Sequence, residues 1–117
     1  MQTIETIKKQ ISENPMILYM KGTPQFPQCG FSAQVARILE LCNAEYAYVN
    51  ILENPDIRST LPQYANWPTF PQLYIHQELI GGCDIVTELY ESGELLKKIQ
   101  EAGLQKENPE VKAAEIA

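Results

Sequence analysis

A chain of 117 residues, 44% hydrophobic and 21% charged, is long enough to bury one modest core. Its formal charge of −6 excludes the basic face that nucleic-acid phosphates or an anionic membrane surface require. Three cysteines, an odd number, point to a reducing compartment where a thiol is kept for chemistry, and the cytoplasm is expected.

Ile4, Ile7 and Ile11 recur at helical spacing among charged residues, which predicts an amphipathic helix closed by Asn14-Pro15. The run Met16-Ile17-Leu18-Tyr19-Met20 is far too short to cross a bilayer and reads as a fully buried strand. Lys21 to Gln28, with one glycine and two prolines, reads as a loop. Helical spacing resumes at Phe31, Val35, Ile38, Leu39 and Cys42 and ends near Asn43-Ala44, before a strand from Tyr46 to Ile51. Strand, helix and strand in that order imply a parallel pair with a right-handed crossover.

Asn54 as N-cap and Pro55 at the first helical position start a third helix, which Pro62 is expected to kink or shorten. Trp67-Pro68-Thr69-Phe70-Pro71 is a rigid connection into a strand from Gln72 to Ile75. His76-Gln77 then turns the chain into a short partner strand, Glu78-Leu79-Ile80, ending at Gly81-Gly82. Asp84 is the expected N-cap of a helix from Ile85 to Glu91, followed by a break at Ser92-Gly93 and a last helix from Glu94 to about Ala102. Residues 1–103 thus read as one domain, a thioredoxin-like α/β fold with a four-stranded mixed sheet flanked by helices. Residues 104–117, charged and alanine-rich, read as a flexible C-terminal tail.

Cys29-Gly30-Phe31-Ser32 carries most of the chemistry. A thiol at a helix N-terminus faces unpaired backbone N–H groups and the positive end of the peptide dipoles, so its thiolate is favoured. Ser32 stands where a second cysteine would make a dithiol motif, and a hydroxyl closes no disulfide. One reactive thiolate remains, suited to capping by a small thiol or to ligating a soft metal centre. Cys42 falls on the apolar helix face. The single histidine, His76, reads as an exposed turn residue, and three cysteines with this histidine lack the short-spaced ligand pair of a zinc site.

Four motifs in order resemble the CGFS-type monothiol glutaredoxins, in their bacterial single-domain form: Lys21-Gly22-Thr23-Pro24, Cys29-Gly30-Phe31-Ser32, Trp67-Pro68-Thr69-Phe70-Pro71-Gln72 and Gly81-Gly82-Cys83-Asp84. The likeness runs from about residue 3 to residue 102. It implies a thioredoxin fold, glutathione binding, and a [2Fe-2S] cluster shared across a homodimer. The implied role is cluster storage and delivery to apo iron–sulfur proteins, often with a BolA-like partner. Ligand counting agrees with a shared cluster, because such a centre takes four ligands, usually thiolates, and each chain offers only Cys29.

The resemblance also assigns site residues, each with a plainer alternative. Lys21 is expected to lower the thiol pKa and attract the glycyl carboxylate of glutathione, or else to be a solvated lysine at a strand end. Arg58 resembles a second carboxylate clamp, or pairs on the helix surface with Asp56 or Glu53. The loop proline, Pro71, corresponds to one with a cis bond, which presents the backbone of Phe70 to an extended peptide. Trp67 beside it serves as core or as groove wall. Gly82 allows close approach, and the N–H groups at Cys83 and Asp84 donate to the γ-glutamyl carboxylate, with Asp84 taking the amine or simply capping its helix. Cys83 contributes its backbone, the favoured role, or acts as a resolving thiol. Two rival functions stay open: a glutathione-dependent monothiol oxidoreductase, and a regulatory adaptor that delivers no cluster.

Overall fold

The computed structural model describes residues 2–108 and 110–117. In chain order its elements are α1 (Gln2–Glu13), β1 (Met16–Met20), α2 (Gly30–Leu41), β2 (Ala47–Asn50) and α3 (Pro55–Ala65). There follow β3 (Gln72–Ile75), β4 (Glu78–Gly81), α4 (Cys83–Glu91), α5 (Glu94–Glu101) and β5 (Ala114–Glu115). The strands form one mixed sheet ordered β4-β3-β1-β2-β5. β1 and β2 run parallel across the α2 crossover, and β3 is antiparallel to both β1 and β4. This is the thioredoxin-like architecture, with five strands where four were expected.

β1 lies at the centre, and all five of its residues are buried. Strand alternation sends Met16, Leu18 and Met20 into the core beneath α2, α4 and α5, where they meet Val35, Leu39, Val86, Leu95 and Ile99. Ile17 and Tyr19 point the other way, into a second core with Ile7 and Ile11 of α1 and Ile57 and Leu61 of α3. A strand covered on both faces needs apolar residues at every position, which is why its sequence shows no alternation.

Three departures from expectation have physical causes. α3 runs through Pro62 to Ala65 and is not shortened there. The proline deprives only the Arg58 carbonyl of its helical partner, while burial of Ile57 and Leu61 holds the helix down. Its end comes at Asn66, in the left-handed conformation that commonly terminates helices. α4 starts two residues earlier than expected, with Gly82 as its N-cap, so Asp84 is the second helical residue and not the cap. The tail, finally, supplies the fifth strand. Leu104 is buried, its carbonyl accepts the Glu45 N–H at 2.7 Å, and Ala114–Glu115 lies parallel to β2.

Candidate functional site

Strand register gathers the four motifs at one end of the sheet. Tyr19 pairs with Gln72, so the chain leaving β1 at Lys21 passes beside the Phe70-Pro71 segment that enters β3. Leu73 pairs with Gly81, which brings the start of α4 to the same end. Met20 pairs with Asn50, and the turn after β2 sends α3 back with Arg58 one turn in.

Two buried side chains fix the loop before the thiol. The Ser32 hydroxyl accepts the Lys21 N–H at 3.1 Å, and Asn50 Oδ1 accepts the Gly22 N–H at 2.9 Å. The Gln28 N–H closes the loop onto the Lys21 carbonyl at 2.9 Å. Glycine is required at 22: its φ is +93°, and a Cβ there would sit 2.6 Å from the Phe26 carbonyl oxygen.

Cys29 is the N-cap of α2, in extended backbone, and is partly exposed. The Ser32 backbone N–H, in the first turn of α2 behind the sulfur, is the main cause holding the thiol pKa below the ordinary value. Burial opposes this, and the Phe31 N–H, the Lys21 charge and the Ser32 hydroxyl add smaller stabilisation of the thiolate. The helix N-terminus therefore leads and the lysine assists. Cys42 behaves oppositely: it is buried at the C-cap of α2, and burial pushes its thiol up.

A groove of about 550 Å³ opens beside Cys29, within the range of small-molecule sites. The expected residues Lys21, Arg58 and Phe70 line it, as do Gly82, Cys83 and Asp84. Trp67, Thr69 and Pro71 complete one wall, so Trp67 is groove wall. The Phe70–Pro71 bond is cis. Gly82 packs so closely that a Cβ would lie 3.1 Å from the Pro71 carbonyl oxygen and 3.4 Å from Trp67 Nε1. Arg58 is exposed, and Asp56, one of its alternative partners, accepts the Thr3 hydroxyl at 3.2 Å instead. His76 sits exposed in the β3–β4 turn, outside the groove.

The glutaredoxin family model matches residues 16–80, which span β1 to β4. Glutaredoxin 4 of Escherichia coli strain K12 is 57% identical over 108 residues, covering 92% of this chain and 94% of the relative. The chain belongs to the glutaredoxins, in their CGFS-type monothiol form. Glutaredoxin 4 of Buchnera aphidicola is 63% identical over 99 residues, covering 85% of this chain and 92% of its own length. The solution structure of reduced poplar apo GrxS14 superposes with a TM-score of 0.72 at 50% identity, over 86% of this chain and 92% of that one.

Three buried polar residues frame this glutaredoxin's groove in roles that their place in the sequence does not announce. Ser32 was notable there only as the missing second cysteine, yet it is fully buried and ties α2 to the end of β1. Asn50 and Gln72 read as ordinary strand residues. Gln72 is fully buried, and its Nε2 donates to the carbonyls of Trp67 at 3.0 Å and Thr69 at 3.2 Å, while its Oε1 accepts the Tyr74 hydroxyl at 2.8 Å. A polar side chain at the end of an otherwise apolar strand is the one clue that would have found both.

Proposed function

We propose that this glutaredoxin binds glutathione and, as a homodimer, carries a subunit-bridging [2Fe-2S] cluster as cargo for storage and delivery to apo iron–sulfur proteins. The observation that supports this reading is the single stabilised thiolate beside a groove lined by Lys21, Arg58 and the start of α4. Among the described residues no three His, Cys, Asp or Glu side chains gather to hold a metal ion, so a four-ligand centre must draw on other molecules. Cys29 from each of two copies and the thiolates of two glutathiones complete such a set, and thiolate sulfur is the donor iron–sulfur centres prefer.

The groove's chemistry matches the tripeptide end to end. Lys21 and Arg58 offer cations to the glycyl carboxylate, Arg58 through a fork that fits both oxygens. The Phe70 backbone pairs with the cysteinyl unit as an added strand. The first N–H groups of α4, at Cys83 and Asp84, have no helical acceptor and receive the γ-glutamyl carboxylate, while the exposed Asp84 carboxylate takes the amine. Cys83 acts here through its backbone. Transfer follows from the ligand set, because two of four ligands are exchangeable small molecules. A BolA-like protein is the proposed partner for a mixed complex on the same face. The proposed compartment is the cytoplasm. Among the described residues no helix is long and apolar enough to cross a membrane.

Anaerobic reconstitution with iron, sulfide and glutathione tests the reading. The expected result is a visible chromophore with a doubled mass, absent without glutathione and in Cys29→Ser. A colourless protein, or a chromophore that survives Cys29→Ser, overturns it. The partly exposed, stabilised thiolate also favours a second activity. Cys29 attacks the glutathione sulfur of a glutathionylated protein, releases the protein thiol, and is freed by a second glutathione as glutathione disulfide. Turnover of a mixed disulfide at rates typical of dithiol glutaredoxins would place this activity first.

A further inference from the structure

The four strands of the domain end on β4 at one side and on β2 at the other, and these two edges are protected in different ways. A strand edge presents unpaired N–H and C=O groups and pairs with other chains unless it is blunted by charge, proline, irregularity or a cover. β4 is blunted by its own sequence: it opens on the exposed Glu78, ends at Gly81, and its register with β3 slips between Leu73 and Tyr74. β2 has none of these features. Ala47-Tyr48-Val49-Asn50 carries no charge and no proline, and all four residues are buried between the helical layers.

The chain's own tail covers that edge. The Ala114 N–H donates to the Tyr46 carbonyl at 3.3 Å and the Ile116 N–H to the Tyr48 carbonyl at 3.2 Å. The Tyr48 hydroxyl donates to Glu115 Oε1 at 3.0 Å. The cover is minimal, two residues of strand, and the segment that supplies it brings the exposed charges Glu110, Lys112 and Glu115. A neutral edge is thereby exchanged for a short charged one.

We propose that residues 110–117 are an edge guard, and that the surface they mask is a self-association site where β2 pairs with β2 of a second copy of this chain. The occupant follows from the edge. Two identical strands meeting about a twofold axis close the pairing, and an uncharged strand meets its copy without like-charge repulsion although each chain carries −6. With the guard in place, copies are left to meet elsewhere, which keeps the Cys29 end of the sheet as the productive face.

The test compares the full chain with a variant lacking residues 110–117 and with the double variant Ala114→Pro, Ile116→Pro. The prolines remove both donor N–H groups at exposed positions and leave the domain untouched. All three are studied as apo protein without iron or glutathione, so the outcome is independent of the proposed cluster. Sedimentation equilibrium over a range of concentrations is expected to show a monomeric full chain and variants whose mass climbs toward twice the monomer. Amide exchange in β2 is expected to be faster in the dilute variants and to slow again on association. Variants that melt cooperatively yet stay monomeric, or an associated form whose β2 amides stay unprotected, overturn the proposal. Should the shortened chain fail to fold, the proline variant decides on the same criteria.

Discussion

Replacing Gln72 with leucine isolates what one buried amide contributes to the groove. Leucine fills similar space, so the cost is polar and not a cavity. The Tyr74 hydroxyl, on a side chain 4% exposed, loses its acceptor, and a buried unsatisfied donor costs about 1–3 kcal/mol. The Trp67 and Thr69 carbonyls belong to half-buried and exposed residues that water can reach, so each loses about 0.5 kcal/mol. The sum is a destabilisation of roughly 2–4 kcal/mol. For 117 residues the unfolding entropy converts each kcal/mol to about 4 °C, so Tm falls by roughly 8–16 °C.

The companion variant separates this reasoning from a general loss of packing. Adding Tyr74→Phe to Gln72→Leu removes the orphaned hydroxyl, so the double variant is expected to regain about 1 kcal/mol or more over Gln72→Leu, a coupling read from denaturant titrations. Glutathione affinity, followed by calorimetry, drops in Gln72→Leu because the freed carbonyls belong to the loop that walls the groove. In Tyr74→Phe alone it stays unchanged, since Tyr74 lies outside the groove. A Gln72→Leu protein within about 0.5 kcal/mol of the parent, or strictly additive effects in the cycle, refutes the account.

Lys21→Met is expected to raise the Cys29 pKa only slightly and to leave it below the ordinary thiol value, because the Ser32 N–H is the larger cause; the pH profile of alkylation rates checks this. Gly22→Ala, with φ at +93° and a Cβ 2.6 Å from the Phe26 oxygen, is expected to cost about 2 kcal/mol or more by thermal melts and to weaken glutathione binding. Burial pushes Tyr74 up to about 12, against about 10 unfolded. Above pH ~10 the unfolded chain therefore binds fewer protons, so stability holds below that pH and is lost as pH climbs toward about 12. Urea midpoints that stay flat through that window contradict it.

What the sequence displayed was whatever is written in side-chain type at fixed spacing. β1 and β3 were legible to the residue because short, mainly apolar runs that follow Pro15 and Pro71 admit little else. The groove's lining was legible too, since every expected residue but Arg58 sat in a recognisable motif. Other features depend on tertiary balance. Pro62 looked like a helix breaker, yet the buried Ile57 and Leu61 outweigh one missing hydrogen bond. His76 and Gln77 form the hairpin turn with φ of 47° and 68°, values usually supplied by Asn-Gly, so the expected turn came without its usual chemistry. The fifth strand was invisible because pairing by Ala114–Glu115 rests on backbone bonds to a distant edge and on one phenol, not on an apolar pattern.

The distribution of buried polar groups says how this site attains its precision. Among the described residues four polar side chains are buried: Gln10, Ser32, Asn50 and Gln72. Gln10 accepts the Tyr19 hydroxyl in the core between α1 and β1, remote from the groove, and the other three each hook a groove loop to the end of a strand or helix. The groups proposed to meet glutathione are by contrast exposed or half-exposed, Arg58 and Asp84 among them. Exposed charges are screened and mobile, so they attract a ligand without fixing its place to a fraction of an ångström. In the proposed complex, placement must come from backbone, at Phe70 and at the N–H groups that open α4 and α2. Backbone is only as well placed as whatever anchors it. Removing a groove cation should therefore weaken attraction while leaving the Cys29 thiolate largely intact, whereas removing a buried amide should disturb both.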